Sequence, residues 1–153
     1  MADSIKVVQA AEVNAELIEA VASLVRQLST SASVPTNAHL LEMVESSCTT
    51  LLLARDRSGS GKIVGMLTLV VFRIPTGVRA WIEDVAVDEA ARGRGVGEAL
   101  SREALRIATK RGSRTVELSS RPSREAANRL YRRLGFVPRD TNVYRYTIER
   151  SAG

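Results

Sequence analysis

The sequence has little of the chemistry that would define a disulfide-bonded or metal-binding protein. Its 153 residues include one cysteine, Cys48, and one histidine, His39. A single cysteine cannot form an internal disulfide, so we expect a cytoplasmic location, with Cys48 as a buried thiol. His39 has no acid or cysteine at metal-ligand spacing, which predicts a surface or core histidine and no metal site.

Long apolar runs and aromatic residues are also scarce. No apolar stretch approaches the roughly 20 residues that span a bilayer, and the first residues lack the charged start and apolar run of a signal peptide. Aromatic residues make up 4% of the chain, which is few for the stacking surfaces of single-stranded nucleic-acid binders. We therefore expect neither a membrane nor a nucleic acid as a partner.

The net charge of +5 and the isoelectric point of about 10.0 fit three interpretations. These are nucleic-acid binding, a phosphate-bearing cofactor held by forked arginines, and a solvated basic surface. Most arginines are spread over residues 92–150, with acids between them and no basic tail. Charge alone therefore does not define the function.

The length and composition predict one domain over residues 1–153, with 44% hydrophobic and 25% charged residues. Apolar residues recur at helical spacing from Val13 to Leu28, and Asn37 is a candidate cap for a second short helix. Later helices are predicted at residues 96–110 and, after a cap at Ser123, up to Leu134. Strands are predicted at residues 5–8, 49–54, 63–72, 79–87, 115–118, 136–137 and 143–148. This order is typical of a mixed α/β domain.

The strongest local feature is the run Arg92-Gly93-Arg94-Gly95-Val96-Gly97 between an apolar strand and an amphipathic helix. Glycines let backbone amides crowd around an anion without interference from Cβ atoms. The helix that follows adds its positive N-terminal end. The run fits a pyrophosphate site, and it also fits a plain glycine-rich turn.

The position of this run argues against two other phosphate sites. A dinucleotide fold needs the glycine turn after the first strand of a βαβ unit, with an acid about 20 residues on. Here the turn follows three predicted antiparallel strands, and Glu117, near that offset, lies inside a strand. A P-loop fails because Lys62 is followed by Ile63 rather than Ser or Thr, and lies on a hairpin.

Two segments resemble the GNAT superfamily of acetyltransferases. Arg92-x-x-Gly95-x-Gly97, after the strand residues 84–87, resembles that superfamily's acetyl-CoA signature. The segment 128–136, Asn-Arg-Leu-Tyr-Arg-Arg-Leu-Gly-Phe, is similar to its fourth-helix segment. The resemblance implies a GNAT-like α/β fold, with a mostly antiparallel central sheet and about four helices. It also implies transfer of the acetyl group of acetyl-CoA to an amine, with no metal.

The resemblance further implies where acetyl-CoA binds. Backbone groups of Val85 and Val87 would pair with the pantetheine arm as an added strand does. Loop amides and the Arg92 side chain would hold the pyrophosphate, and Asn128 would contact the pantetheine or the nucleotide end. The implied cofactor-binding residues are Val85, Ala86, Val87, Arg92, Gly93, Arg94, Gly95, Val96, Gly97 and Asn128.

Direct acetyl transfer needs a base for the amine, a donor for the oxyanion and an acid for the departing thiolate. Tyr131 matches the family's general-acid tyrosine, and a phenol with a reference pKa of about 10 is protonated at neutral pH. Glu83 resembles acids that the family uses as the base. Asp84 would face the opposite side unless the strand is bulged. The amide of Val85 is a candidate oxyanion donor.

The sequence does not identify the molecule that accepts the acetyl group. A primary amine of a small molecule is favoured over a protein amine, because nothing in the sequence resembles a peptide-docking module. A catalytically silent acyl-CoA-binding module is the alternative. Arg124 is a candidate contact for the cofactor's 3′-phosphate, whereas Arg102, Arg106 and Lys110 are predicted to form a solvated helix face. A homodimer through an edge strand near the C-terminus is a further expectation.

Overall fold

The computed structural model describes residues 4–150, which form a five-stranded sheet with helices on both faces. The strands are β1 (Ile5–Gln9), β2 (Thr49–Asp56), β3 (Ile63–Ile74), β4 (Gly77–Val87) and β5 (Val116–Glu117), and they lie in this order across the sheet. The first four pair antiparallel, and β5 joins β4 in parallel. The predicted α/β fold with a mostly antiparallel sheet is confirmed.

Four α-helices accompany the sheet: α1 (Ala15–Leu28), α2 (Asn37–Glu45), α3 (Val96–Lys110) and α4 (Glu125–Arg133). The cap of α2 is Thr36 rather than the predicted Asn37. Thr36 and His39 form a reciprocal capping box, which accounts for His39 as an exposed residue. Helix α4 starts after Arg124, which makes no side-chain cap bond, so the predicted cap at Ser123 is wrong. None of the helices in residues 4–150 is long and apolar enough to cross a membrane.

The core consists of two apolar clusters, one on each face of the sheet. Leu52 and Ala54 of β2 pack with the cluster that contains α3, and Leu51 and Leu53 pack with the cluster that contains α1 and α2. Successive side chains of a strand point to opposite faces, so a continuous apolar run is the pattern of a strand covered on both sides. The helices therefore pack on both faces of the sheet, over its inner strands β2 and β3.

Gly65 of β3 allows the start of α3 to approach the sheet closely. A Cβ atom on Gly65 would lie 2.7 Å from Val96 Cγ1 and 3.2 Å from the Ala86 carbonyl oxygen. Any larger residue would therefore push the start of α3 away from the end of β4. The glycine loop of residues 92–97 is held near this end of the sheet as a result.

Three expectations from the sequence are wrong. Residues 136–137 and 143–148 do not form the two predicted strands, and the sheet ends at β5. Cys48 is exposed rather than buried, because it lies in the turn before β2, where its amide donates to Ser46 Oγ. The alternation of residues 143–148 suits a strand, but a strand needs a paired neighbour and this segment has none within the described chain.

Candidate active site

A cavity of about 420 Å³ opens where β4 and β5 part. The two strands pair only through Ala80 with Val116 and Trp81 with Glu117. Beyond these pairs the cavity is lined on the sheet side by Ile82, Glu83, Asp84, Val85, Leu118 and Ser119, and Tyr131 of α4 closes it. The opposite wall comes from α1, α2 and the connection between them.

A β-bulge in β4 brings two neighbouring acids to this cavity. Thr68 pairs with Glu83 and Met66 pairs with Ala86, so β4 holds one residue more than β3 across this step. Asp84 has a φ of 47°, and it is the only non-glycine residue between positions 4 and 150 with a positive φ. Glu83 and Asp84 consequently line the same cavity, although a regular strand would point them to opposite faces.

The core packing shows the same change in which face of the sheet the β4 side chains occupy. Ala80 and Ile82 belong to the cluster with α3, whereas Ala86 belongs to the cluster with α1 and α2. All three positions have the same parity and would share one face of a regular strand. The extra residue at Asp84 therefore switches the faces of the strand before it reaches the glycine loop.

Alanine is usually more stabilising than glycine at a strand position. We expect the left-handed conformation of Asp84 to reverse this order of stability. Asp84→Gly should be more stable than Asp84→Ala by about 1 kcal/mol, because only the alanine has a Cβ that the left-handed region penalises. At the neighbouring Glu83, in extended backbone, Glu83→Ala should be more stable than Glu83→Gly by roughly 0.5–1 kcal/mol. Urea unfolding of the four variants checks both differences, and the same order at both positions would contradict the bulge.

Tyr131 is held rigidly at the edge of the cavity. Its side chain is buried, and its ring makes an edge-to-face contact with Phe136 at 5.6 Å between centroids. The Phe136 amide donates to the Tyr131 carbonyl at 2.9 Å. Burial raises the pKa of the Tyr131 phenol above its usual value, and the positive charge of Arg124 opposes that shift. The phenol therefore stays in its proton-donating form throughout the neutral range.

Arg124 lines the same cavity. The sequence contains only a weak indication that this residue belongs to the site. Arg124 is the residue directly before α4, and both it and Tyr131 line this cavity. The contact with the 3′-phosphate of the cofactor that the sequence suggested for Arg124 stays a prediction. The structure places the positive charge of Arg124 near the Tyr131 phenol, at the cavity that Glu83 and Asp84 line.

The glycine loop has the geometry of an anion site. Gly93 and Gly95 each have a φ of 78°, and a Cβ on either would meet nothing within 4 Å. Helix α3 starts after Gly95, which provides no side-chain cap, and first-turn amides have no partner inside a helix. Gly97 has a different role, since a Cβ there would lie 3.2 Å from Leu130 Cδ2 where α3 packs on α4. These features fit a bound pyrophosphate.

The Arg94 side chain turns away from the open side of the loop. Its guanidinium forms a fork with Asp56, at 2.8 and 3.0 Å, and also donates to Ser58 Oγ at 3.2 Å. Hydrogen bonds from Arg94 and Ser58 hold the pKa of the Asp56 carboxyl well below its usual range. Arg94 therefore braces the loop against the β2–β3 turn, leaving its backbone amide for a ligand, while Arg92 is exposed.

Asn128 of α4 and Ser120 of the connection between β5 and α4 are two further polar residues of this region. Asn128 Nδ2 donates to the Arg121 carbonyl at 2.9 Å, so this side chain holds the connection in place. Ser120, next to the cavity-lining Ser119, has a buried hydroxyl without a partner among the described residues. Residues 4–150 contain no group of three or more His, Cys, Asp or Glu side chains that could hold a metal ion.

Comparison with known proteins agrees with this architecture. Residues 17–136 match the model of the Acetyltransferase (GNAT) family. The chain belongs to this family. The GNAT protein is also 36% identical over 98 residues to an uncharacterized N-acetyltransferase of Methanocaldococcus jannaschii, a match that spans 58% of this chain and 43% of that relative. The match thus covers less than half of the length of this relative.

Solved structures share the GNAT fold across almost the whole chain. An aminoglycoside acetyltransferase from an uncultured soil metagenomic sample, in complex with sisomicin, has a TM-score of 0.82 and 21% identity, over 97% of this chain and 98% of that one. Glucosamine-6-phosphate N-acetyltransferase from Arabidopsis thaliana has a TM-score of 0.75 and 19% identity, over 93% and 97% of the two chains. Identities this low show the fold alone.

Proposed function

We propose that this GNAT protein, as one domain over residues 1–153, transfers the acetyl group of acetyl-CoA directly to a primary amine of a small molecule. One observation carries the proposal. Glu83, Asp84 and the phenol of Tyr131 line a single cavity, at the point where β4 runs on toward an uncapped glycine loop. A base and an acid that line one cavity are what a direct transfer to an amine requires.

The proposed residues account for each proton in the reaction. Acetyl-CoA supplies a thioester whose carbonyl carbon gains a bond to the amine nitrogen and loses its bond to sulfur. Glu83 would accept the proton that the amine loses, directly or through a water molecule. The amide of Val85 would donate to the oxyanion, and Tyr131 would donate a proton to the sulfur as it leaves.

The cofactor would be held by backbone rather than by a charged pocket. Amides of residues 93–97 and the positive end of α3 would bind the pyrophosphate, with the exposed Arg92 side chain nearby. Backbone groups of Val85, Ala86 and Val87 would pair with the pantetheine arm. Asn128 donates through Nδ2 to the Arg121 carbonyl, so its Oδ1 remains to accept from the pantetheine or the nucleotide end.

The walls of the cavity favour an amine on a compact apolar body. Glu83 and Asp84 attract a protonated amine, whereas α1 and α2 line the opposite wall with aliphatic side chains and the connection between them adds Ser29 and Ser33. Its apolar side chains are Val21, Val25, Leu28, Leu40 and Met43. An aminoglycoside carries many ammonium and hydroxyl groups, and the aliphatic part of this wall would remove their water without offering hydrogen bonds in return.

An acceptor panel tests this proposal. Release of the CoA thiol should be followed with small apolar monoamines, polyamines, aminoglycosides and a lysine-containing peptide, each with acetyl-CoA. We expect the apolar monoamines to be the best acceptors. Val25→Thr, which keeps the shape of the wall but adds a hydroxyl, should raise the KM of the amine and leave the KM of acetyl-CoA unchanged.

The other outcomes are equally informative. Turnover with the peptide alone would establish a protein acceptor, and preference for aminoglycosides would contradict the argument from the aliphatic wall. Binding of acetyl-CoA with no release of thiol from any amine would favour the silent binding module. In each case a different part of the proposal fails.

A further inference from the structure

The cavity is lined by charged side chains of both signs. Its acids are Glu83 and Asp84 of β4, and the one cation that lines it among the described residues is Arg124, directly before α4. Arg124 forms no ion pair and no side-chain hydrogen bond with any residue between positions 4 and 150. The acids and the arginine therefore do not neutralise one another by direct contact.

This unpaired guanidinium restricts what can fill the cavity. Arginine keeps its charge at any physiological pH, and in the free protein the exposed Arg124 is solvated by water. A ligand that fills the cavity displaces part of that water, which costs free energy unless the ligand supplies an acceptor in return. The best compensation for a lost water shell around a cation is a negatively charged group on the ligand.

Arg124 lies at the part of the site where the acceptor amine is proposed to react. The candidate base Glu83 and the candidate acid Tyr131 line the same cavity, whereas no residue of the glycine loop 92–97 lines it. The charge of Arg124 also opposes the rise in the pKa of the Tyr131 phenol, so the two groups lie close together. The position of Arg124 thus favours the acceptor, rather than the nucleotide end of the cofactor, as its partner.

We infer that the acceptor carries a carboxylate as well as its amine, and that Arg124 binds this carboxylate. The inference rests on the proposed acetyl transfer and narrows its acceptors to amino acids with an apolar body. A guanidinium presents parallel N–H donors that match the two oxygens of a carboxylate. The ammonium group then faces Glu83 and Asp84, and the apolar body lies against the aliphatic side chains of α1 and α2.

The remaining polar groups of the cavity favour a carboxylate over a phosphate. They are the neutral hydroxyls of Ser29, Ser33, Thr68 and Ser119. A phosphate monoester carries a charge of about −1.5 to −2 at pH 7, and Arg124 alone would leave part of it unbalanced beside two acids. A carboxylate carries a single charge, which one guanidinium balances.

Two matched pairs of acceptors test the inference. L-Leucine and L-leucinamide differ only in the carboxylate, and 6-aminohexanoate and hexylamine place a similar difference farther from the amine. The preference within each pair is the ratio of the two kcat/KM values for thiol release. Arg124→Gln should lower the preference for the carboxylate by about tenfold or more in at least one pair, mainly through the KM of the amine, because a hydrogen bond to a charged group is lost. Comparing ratios between variants cancels the different pKa values of the amines.

Arg132→Gln is the matched control, because it removes the same charge from an exposed arginine of α4 that does not line the cavity. It should leave both preferences within about twofold. Arg124→Lys should keep part of the preference, since it retains the charge but not the forked donors. An unchanged preference of Arg124→Gln in both pairs, or an equal loss in Arg132→Gln, would overturn the inference.

The 3′-phosphate of the cofactor is the competing partner for Arg124. If Arg124 binds that phosphate, Arg124→Gln should raise the KM of acetyl-CoA but not that of 3′-dephospho-acetyl-CoA. Both preferences among the amines would then stay unchanged, and the inference would fail.

Isothermal titration separates this inference from the proposed function. With CoA present, the protein should bind the carboxylate of a pair more tightly than its neutral counterpart, and Arg124→Gln should abolish the difference. Such binding without turnover of any amine would contradict the proposed transfer and support the carboxylate site. Turnover of the neutral amines with no effect of Arg124→Gln would support the transfer and overturn the carboxylate site, as would equal binding of both members of each pair.

Discussion

Gly95→Ala is expected to weaken the binding of acetyl-CoA by about tenfold or more, which corresponds to about 1.4 kcal/mol. Gly95 lies at φ 78° immediately before α3, and a Cβ there would enter open space, with no atom within 4 Å. That space is where the pyrophosphate would lie if the loop binds it. Isothermal titration with acetyl-CoA measures the loss of affinity.

Gly112→Ala is the matched control for this experiment. Gly112 follows α3 at its other end, has a φ of 88° and likewise has nothing within 4 Å of a Cβ position. Both substitutions should lower the free energy of unfolding by a similar roughly 1–2 kcal/mol, because both place a Cβ in left-handed backbone. Only Gly95→Ala should change the affinity. Equal affinity in the two variants would remove the loop from the cofactor site.

Tyr131→Phe is expected to lower kcat by about 100-fold or more, the usual contribution of a positioned general acid. The KM of acetyl-CoA should remain within about twofold, because the substitution removes only the hydroxyl and keeps the ring against Phe136. Steady-state rates of thiol release with the best amine of the panel measure both constants. Tyr146→Phe, which removes a hydroxyl from an exposed tyrosine, should leave kcat unchanged.

The pH profile gives a second test of Tyr131. Burial raises the pKa of this phenol above its usual value, so its acid form persists to a higher pH than that of a free tyrosine. Ionisation of Tyr131 should therefore cause no fall in kcat below about pH 10. A fall in kcat near pH 8 that is absent from Tyr131→Phe would show that the pKa of the phenol is lowered. That result would contradict the burial of its ring.

The spacing of the apolar residues and the positions of the glycines predicted the parts of the fold that depend on local sequence. The period of the apolar residues predicted α1 and α3, and α3 spans the expected residues 96–110. The continuous apolar run of β2 predicted a strand without indicating that both of its faces are covered. The position of the glycine loop, between a meander and a helix, excluded dinucleotide and P-loop sites and agreed with the family that the comparisons show.

The features that the sequence left undetermined depend on contacts between residues that are distant in sequence. The bulge at Asp84 changes which side chains share a face, and only the register against β3 reveals it. The sequence placed Arg94 in the cofactor loop without indicating that its guanidinium is engaged by Asp56, distant in sequence. The alternation of residues 143–148 is typical of a strand, but these residues form no strand in the described chain, because strand formation also needs a paired neighbour.

The measurement that tests the central claim most directly is the fate of an isotopically labelled acetyl group. Acetyl-CoA labelled in the acetyl group should be incubated with the protein and the best amine, and both the amine and the intact protein analysed by mass spectrometry. Direct transfer predicts one labelled amide for each CoA released and no label on the protein, including the exposed Cys48. Label retained on the protein as an intermediate, or CoA released without an acetylated amine, would contradict this account.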